Sequence, residues 1–386
     1  MKLKYSISFP SPFPSVPHNY RCSTTTAIQK NVNKLSKSPA QSNDQMPLSN
    51  LPKTYKAAVF ESANSPFVLK DIELKHPSPG QVLVKVIAVG ICHSDAGVSA
   101  GAFGNSFPII PGHEIIGDVA EVGEGEHRWK VGDRVGGPWH GGHDAVCKQC
   151  QRGQFQMCQN EAINGVTMDG GYAEYVLLRT EAVASVPTDV DPVEYAPILC
   201  AGITVFNSIR RLKIQVGDLV AVQGLGGLGH LAIQYANKMG YRVVALSSGS
   251  SKKEFALKLG AHEYIDTSKE DANSKLHEMG GAALIVATAP NSKAIGPLTG
   301  GLEAGGLLLV LAPCGEISVN SLDLIGKAAG VVGFPSGHAL DSEEAIAFTK
   351  LHGIRCMVEK FPLKDVQKAY DHMLSGDVRF RSVLVM

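Results

Sequence analysis

Two patterns of apolar residues divide the chain. Between about Tyr55 and Val186 the apolar runs are short and end at glycines, and in QVLVKVIAVG the side chains of Val82, Val84 and Val86 fall on one face at a period of two. Such alternation is typical of half-buried β-strands. The sequence therefore predicts an irregular, β-rich domain in this part of the chain.

After residue 200 the pattern changes. The stretch DLVAVQGLGGLGHLAIQYANKMGYRVVALSS predicts a buried strand, a glycine turn, an amphipathic helix and a second buried strand, and AALIVATA and GLLLVLAP are further apolar runs. Alternating strands and helices predict a parallel sheet covered by helices on both faces. Near residue 337 the pattern reverts, with a helix expected over about 342–351 and RSVLVM as a closing strand.

These patterns predict an α/β fold in which a β-rich domain is interrupted by a doubly wound parallel-sheet domain. The expected boundaries are 1–52 for a disordered or targeting extension, 53–201 for the first part of the β-rich domain, 202–336 for the inserted domain and 337–386 for the second part. Residues 1–50 are rich in Ser, Thr, Asn and Pro, a composition that predicts disorder. We expect a cytoplasmic protein, with a mitochondrial transit peptide as the alternative because this stretch is poor in acids.

Composition excludes two classes of partner. Among the 386 residues, Lys+Arg and Asp+Glu both number 36, so there is no basic surplus for binding nucleic acid. The longest purely aliphatic run, LLLVL at 307–311, is far shorter than the roughly 20 residues that cross a bilayer. We therefore expect neither a nucleic-acid partner nor a membrane span.

The turn GLGGLG carries the pattern G-x-G-x-x-G at Gly224, Gly226 and Gly229. Glycines at these positions allow a tight turn, a close approach of the backbone to a pyrophosphate and close packing of the helix on the strand. The turn, which includes Gly227 and Leu228, follows the apolar strand LVAVQ and opens a helix. This context favours a dinucleotide site over a merely glycine-rich turn.

An NAD site of this kind expects Asp or Glu at the end of the second strand. Here that position is Ser247, and no carboxylate follows before Glu254. Hydroxyls and a lysine can bind a 2′-phosphate that a carboxylate would repel. We therefore expect NADP(H), bound through Ser247, Ser248 and Lys252; the alternative is a solvated loop that also accepts NAD(H).

Three fragments supply residues that commonly bind metals. GICHSD, PGHEIIG and PILCAGIT contain Cys92, His113 and Cys200. Two thiolates and one imidazole form a three-ligand zinc site with an open position, as in catalytic zinc centres. Taken singly, each residue also has an ordinary explanation, because buried cysteines often act as small apolar residues.

A second group of thiols lies in GGHDAVCKQCQRGQFQMC. Cys147, Cys150 and Cys158 have the spacing of a tetrahedral metal site that still needs a fourth ligand. Eight cysteines in a chain of this length do not indicate a disulfide scaffold. Three cysteines outside both groups are expected in ordinary packing or loop positions: Cys22, Cys314 and Cys356.

The fragments GICHSD, PIIPGHEIIG, VGDRV, PILCAGIT and GLGGLG, in this order, resemble the zinc-dependent medium-chain alcohol dehydrogenases, and PILCAGIT is similar to the branch that includes the yeast and bacterial enzymes. The resemblance covers about residues 55–386. It implies a GroES-like β domain interrupted by a Rossmann domain, with the active site in the cleft between them. The implied activity is zinc-dependent hydride transfer between an alcohol or aldehyde and a nicotinamide cofactor.

The resemblance also implies a fourth ligand for the second thiol group. Family members often carry C-x2-C-x2-C-x7-C for a structural zinc, here in a lobe at about 140–160, and the first of these positions is Asp144. An aspartate oxygen is an accepted zinc ligand. We therefore expect Asp144, Cys147, Cys150 and Cys158 to close this site, with His143 as a competing ligand and an empty, reduced lobe as the other alternative.

The resemblance assigns roles to the neighbours of the catalytic ligands. Ser94 would accept the alcohol proton, Asp95 would orient the imidazole ligand, and Glu114 would coordinate the zinc during ligand exchange. His93 and Arg381 would face the pyrophosphate.

One position departs from the family. Relatives often carry a histidine two residues after the aspartate, to relay the proton to water, but here that position is Gly97. A glycine side chain cannot carry a proton. The relay would then use water or His93.

Few residues in the sequence indicate the substrate. Trp139, Phe103 and Phe107 would either line the pocket or belong to the core, and the pocket would take a small or aromatic primary alcohol or aldehyde.

The resemblance further implies a homo-oligomer, a dimer or a tetramer. The alternatives are an NAD-dependent member of the family and a cofactor-binding protein without turnover; the zinc-free reductases of the same superfamily lack the three metal positions that this chain has.

Overall fold

The computed structural model describes residues 51–386. The expectation of a disordered or targeting extension over residues 1–50, and that for Cys22, lie outside the described residues. In the part of the chain that the structure describes, no helix has the length and apolar character needed to cross a bilayer.

The described residues form strands and helices in an order that changes after residue 200. The strands are β1 (Thr54–Phe60), β2 (Phe67–Glu73), β3 (Gln81–Gly90), β4 (Ile115–Val122), β5 (Arg134–Gly137), β6 (His140–Gly142), β7 (Ala162–Ile163), β8 (Tyr175–Arg179), β9 (Ala184–Ser185), β10 (Leu219–Gln223), β11 (Arg242–Ser247), β12 (Glu263–Asp266), β13 (Ala282–Ala287), β14 (Leu302–Val310), β15 (Gly330–Gly333), β16 (Val358–Pro362) and β17 (Arg381–Val385). The α-helices are α1 (Ser94–Ser99), α2 (Lys148–Gln151), α3 (Pro192–Tyr195), α4 (Ala201–Arg211), α5 (Gly229–Lys238), α6 (Lys253–Lys258), α7 (Ala272–Glu278), α8 (Ser292–Ile295), α9 (Ser321–Lys327), α10 (Ala339–His352) and α11 (Val366–Ser375).

The first large sheet contains seven strands around β3. Its strands follow the order β16-β17-β3-β4-β5-β9, and β8 also pairs with β3. Val82, Val84 and Val86 are buried on β3, as the period of two predicts, but Leu83 is buried as well, against Leu74 on the opposite face. Both faces of this strand are therefore covered.

The second large sheet is parallel and contains six strands in the order β12-β11-β10-β13-β14-β15. The chain starts at the centre with β10, builds outward through β11 and β12, then returns to the other side of β10 with β13. Ligands of doubly wound sheets bind beyond the carboxyl ends of the strands at this reversal. The structure confirms the predicted α/β fold.

The chain ends in the first sheet. β17 pairs with β3 in an antiparallel register that sets Leu384 opposite Val89, and β16 pairs with β17. The helix expected over 342–351 is α10, which begins earlier, because the side chains of His338 and Asp341 cap its first turn. The closing strand and the parallel strands are confirmed.

One apolar cluster joins the two sheets through α4. Ala88 and Val383 of the first sheet and Val220 of the second belong to this cluster, as does Ile203 of α4. Cys356 is buried in the same cluster, in keeping with its expected packing role. The sheets therefore share a packed core, and a cleft opens beside it.

Candidate active site and metal centres

A cleft of about 1210 Å³ brings together residues from both large sheets. On the side of the first sheet, Cys92 and Ser94 line it, and Cys200 lies at the start of α4. On the side of the parallel sheet, the glycine turn that follows β10 lines it from Gly224 to Leu228. Two motifs that are far apart in sequence therefore face one cavity.

The predicted catalytic ligands form a compact cluster. Ligand atoms of Cys92, His113, Glu114 and Cys200 all lie within 4.8 Å of one another. The two sulfur atoms are 3.8 Å apart. Cys92 follows the end of β3, the His-Glu pair immediately precedes β4, and Cys200 precedes α4, so three separate elements converge on this point.

Asp95 holds the cluster in place from behind. Its Oδ1 lies 3.5 Å from Nδ1 of His113, and its Oδ2 accepts hydrogen bonds from the Cys92 amide at 2.8 Å and the Tyr172 hydroxyl at 2.6 Å. With Nδ1 turned to Asp95, Nε2 of His113 is buried and, among the described residues, has no hydrogen-bond partner. An unpartnered imidazole nitrogen beside two thiols fits a zinc ion.

The sequence did not single out Tyr172. It lies next to β8, 77 positions from the aspartate that it contacts, and burial raises its pKa well above the usual range. A neutral phenol is the form that can donate to a carboxylate. The sequence around GGY contains no pattern from which the contact between Tyr172 and Asp95 could be predicted.

The electrostatics of the cluster suit a cation. A hydrogen bond from Cys200 holds the pKa of Cys92 well below its usual range, and the same contact raises the pKa of Cys200 well above it. Burial opposes the charged imidazole of His113, but the neighbouring Asp95 carboxylate outweighs it and raises the pKa of His113 to about 10. The buried negative charge is therefore balanced by a proton, and zinc would take that place when it binds.

Glu114 and Arg381 form a buried ion pair at the base of the cluster. Burial raises the pKa of Glu114 to about 8, against the opposing effect of the Arg381 charge. A Cβ atom placed on Gly227 would lie 3.0 Å from Cδ of Arg381, so the arginine also touches the glycine turn. Arg381 therefore lies between the metal cluster and the expected pyrophosphate position.

The residues expected to move the proton lie at the cleft surface. His93 and Ser94 line the cleft, and the Ser94 hydroxyl oxygen is 3.6 Å from the Cys92 sulfur. Gly97 lines it as well, and a Cβ atom there would lie 2.7 Å from the ring of Phe103. A histidine at residue 97 would therefore displace Phe103, which occupies the space.

Two of the three expected aromatic residues line the cleft. Trp139 packs edge-on against His113, with ring centres 4.8 Å apart, and against Phe103 at 5.4 Å. Phe107 packs instead against the apolar core of the first sheet. The pocket beside the cluster thus has a wall of two aromatic rings.

The glycines of the turn lie where the dinucleotide pattern requires them. Gly224 has a φ of +91°, and a Cβ atom on it would lie 2.6 Å from Cβ of Ala289. A Cβ atom on Gly229 would overlap the carbonyl oxygen of Gly224, whereas Gly226 faces open space. The helix α5 begins at Gly229, the last glycine of the pattern.

Ser247, Ser248 and Lys252 line the cleft beyond the carboxyl end of β11. The Lys252 ammonium group donates to the carbonyl oxygen of Leu225 at 3.2 Å, which places its charge beside the glycine turn. Burial, together with the charge of Arg379, lowers the pKa of Lys252. Arg379 also lines the cleft and was not found by sequence reasoning.

Carboxylates near this end of the cleft come from another strand. Asp266 pairs in register with Ser247 but accepts hydrogen bonds from Ser268 and from the Gly249 amide. Glu270 lines the cleft further along. Asp266 ends β12 and Glu270 follows that strand. The expectation of an NAD-binding acid at the end of β11 therefore did not predict either residue.

The second thiol group is also compact. Ligand atoms of Asp144, Cys147, Cys150 and Cys158 lie within 4.8 Å of one another, with the Cys147 sulfur 3.5 Å from Cys150 and 3.9 Å from Cys158. His143 is not part of this group. Its Nδ1 lies 3.1 Å from Nε2 of His140.

The lobe favours negative charge on two of these side chains. The amide of Cys147 donates to Asp144 at 3.0 Å and holds the pKa of that carboxyl well below its usual range. The amide of Cys150 lowers the pKa of Cys147, whereas burial raises the pKa of Cys150 to about 12. A carboxylate and three sulfurs fit a tetrahedral zinc site.

Comparison with known proteins identifies the family. The family model described as alcohol dehydrogenase GroES-like domain matches residues 78–188, and the one described as zinc-binding dehydrogenase matches residues 227–350. Alcohol dehydrogenase patD of Penicillium expansum is 55% identical over 338 residues, which cover 88% of this chain and 99% of the relative. The chain belongs to the zinc-type medium-chain dehydrogenase/reductase superfamily.

Solved structures of this superfamily share the fold. Acetophenone reductase from Geotrichum candidum in complex with NAD has a TM-score of 0.78 at 26% identity, covering 87% of this chain and 98% of its own. CAD from Helicobacter pylori complexed with NADP(H) has a TM-score of 0.77 at 28% identity, covering 87% and 99%.

The comparisons confirm the GroES-like and Rossmann-type architecture and the expected enzyme class, alcohol dehydrogenase. Membership of the zinc-type superfamily supports zinc and a nicotinamide cofactor as groups that the chain binds. Because one neighbour holds NAD and the other NADP(H), the fold alone does not choose between them.

Proposed function

We propose that the chain is a zinc-dependent alcohol dehydrogenase or aldehyde reductase that prefers NADP(H). The observation that carries this proposal is the cluster of Cys92, His113 and Cys200 at the same cleft as the glycine turn. A metal site and a dinucleotide site that share one cavity place a substrate carbon beside the nicotinamide ring.

The chain would hold the catalytic zinc through the sulfurs of Cys92 and Cys200 and Nε2 of His113. When bound there, zinc would lower the pKa of a substrate hydroxyl and polarise a substrate carbonyl. Asp95 fixes the imidazole from behind, and the Ser94 hydroxyl takes up the proton of the alcohol.

The remaining residues of the cleft orient and shield the reactants. Trp139 and Phe103 would form an apolar wall against which the substrate packs. The amides at the start of α5 bind the pyrophosphate. A bound nicotinamide would supply or accept the hydride at its C4, and the proton would leave through water or His93.

A second zinc would have a structural role. Asp144, Cys147, Cys150 and Cys158 would hold it in the lobe, a closed site with no position left for substrate.

The cofactor preference rests on the end of β11. Ser247, Ser248 and Lys252 offer hydroxyls and a positive charge where an NAD enzyme has a carboxylate. We expect kcat/KM for NADPH to exceed that for NADH by roughly tenfold or more with aldehyde substrates. A clear NADH preference would refute this part of the proposal.

The matched variants are Ser247→Asp and Ser250→Asp. The first places a carboxylate at the 2′-phosphate position and should invert the preference, whereas exposed Ser250 lies in the same loop outside the cleft lining and should leave it unchanged. Activity in each variant should disappear after zinc is removed with a chelator and return when zinc is restored. Absence of turnover across a panel of alcohols and aldehydes would favour a cofactor-binding protein instead.

A further inference from the structure

The lobe with the second thiol group supplies one wall of the cleft. Glu161 lies three residues after Cys158, and its side chain lines the cleft while only 17% exposed. Its Oε1 lies 3.0 Å from Nδ1 of His140, whose side chain is fully buried. A carboxylate that is mostly buried costs free energy because its charge loses water, so its presence at this wall indicates a specific role.

His140 fixes the orientation of Glu161. Nε2 of His140 lies 3.1 Å from Nδ1 of His143, and the ring of His143 stacks on Phe155 at 4.2 Å between ring centres. Nδ1 of His140 faces the Glu161 carboxylate and its Nε2 faces His143, so both ring nitrogens of His140 are paired. The carboxylate is therefore held in one position.

The partner of Glu161, His140, links it to the metal cluster along the chain. His140 directly follows Trp139, whose ring packs on the metal-cluster residue His113. A substrate that rests against Trp139 would thus have Glu161 within the same cavity.

Two acceptor oxygens of this wall are available to a ligand. The contact with His140 uses Oε1 of Glu161, which leaves Oε2. Gln156 lines the same cleft, and its Oε1 is buried without a hydrogen-bond partner among residues 51–386. The buried Gln156 oxygen without a partner costs free energy that a donor on a ligand would recover.

We propose that Glu161 is a specificity-determining residue that accepts a hydrogen bond from a hydroxyl group of the substrate, remote from the carbon that exchanges hydride. His140 is its positioning residue. This inference rests on the proposed function, and it narrows the substrate class to hydroxyl-bearing aldehydes and alcohols. Sites built to bind a hydroxyl strongly reject an analogue that lacks it, because the site is then left unpaired.

The test compares two aldehydes of nearly equal size within one enzyme. We expect kcat/KM with NADPH to be roughly ten- to hundredfold higher for 3- or 4-(hydroxymethyl)benzaldehyde than for the corresponding methylbenzaldehyde. In Glu161→Leu this ratio should fall close to one. In Glu181→Leu, a matched change at a carboxylate of the same region that pairs with Arg179 outside the cleft lining, the ratio should stay at the wild-type value.

The ratio is measured within each variant, so a loss of folded protein cancels. His140→Asn should raise KM for the hydroxylated aldehyde more than for the methyl analogue, whereas a merely structural histidine would affect both equally. Equal kcat/KM for the two aldehydes in the wild type at both ring positions, or an unchanged ratio in Glu161→Leu, would overturn the inference. Wild-type protein that reduces no aldehyde at all would instead contradict the proposed function.

Discussion

At the residue scale, Asp144 is the most informative single position, because it replaces a thiol of the family pattern with a carboxylate. Its Oδ1 accepts from the amides of Val146 and Cys147, and its Oδ2 accepts from the Asn160 side chain at 2.7 Å. These bonds fix the carboxylate toward the three sulfurs. Either oxygen can bind a metal ion while it still accepts its hydrogen bonds, since a carboxylate oxygen has more than one lone pair.

We expect the wild-type protein to bind two zinc ions per chain. Asp144→Ala should reduce this to about one and lower the melting temperature, because a structural zinc contributes folding free energy. Asp144→Cys restores the family pattern and should retain two. Zinc can be counted by plasma mass spectrometry after dialysis; about one ion per chain in the wild type would favour the empty, reduced lobe.

At the element scale, α5 is tied to the C-terminal segment by His230. Its Nδ1 donates to the Gly226 carbonyl at 3.1 Å, and its Nε2 accepts the Met357 amide proton at 3.3 Å. The second bond requires a neutral ring, because a protonated Nε2 cannot accept. Burial accordingly lowers the pKa of His230 to about 4.

This histidine predicts a fall in stability at mildly acid pH. Because the folded pKa lies below the unfolded value of about 6.5, the unfolded chain takes up the proton first, and stability is lost as pH falls from about 6.5 toward 4. The full loss, reached below pH 4, is on the order of 3 kcal/mol, of which about 2 kcal/mol is reached by pH 5. Melting temperatures at pH 7.5 and 5 measure it.

The matched variants are His230→Gln and His76→Gln. The first should be less stable at pH 7.5 but show a smaller drop on acidification, whereas the second removes an exposed histidine and should behave as the wild type. An equal pH dependence in all three proteins would show that His230 does not control it.

Helices and strands could be predicted where the local pattern of apolar residues determines them. β3 and β10 coincide with their apolar runs, since buried strands read as continuous Val-rich segments. The start of α10 was missed, because its cap uses His338 instead of the more usual Ser or Thr. In the site, motifs predicted the ligands, but Tyr172 and Glu161 contact their partners only through the folded chain.

At the scale of the whole molecule, one edge of the parallel sheet has no further strand paired to it among residues 51–386. β15 lies at the edge of the sheet, and the preceding α9 exposes Leu322 and Ile325 by 74% and 78%. An unpaired edge strand beside exposed apolar side chains favours pairing with another chain. We therefore expect the chain to associate with a second copy of itself through this face.

Leu322→Asp combined with Ile325→Asp should shift the protein toward the monomer in analytical ultracentrifugation. Leu351→Asp is the matched control, because Leu351 is equally exposed, by 79%, but lies on α10. If the double variant sediments as the wild type does, association uses another surface.

We propose that one zinc ion, held by Cys92, His113 and Cys200, serves the chemistry of the cleft. Anomalous diffraction at the zinc edge, from crystals of protein with measured turnover, tests it most directly. We predict a peak about 2.3 Å from both sulfurs and about 2.0–2.1 Å from Nε2 of His113. Fully active protein with no peak between these three residues would show that zinc at this position is not needed for turnover.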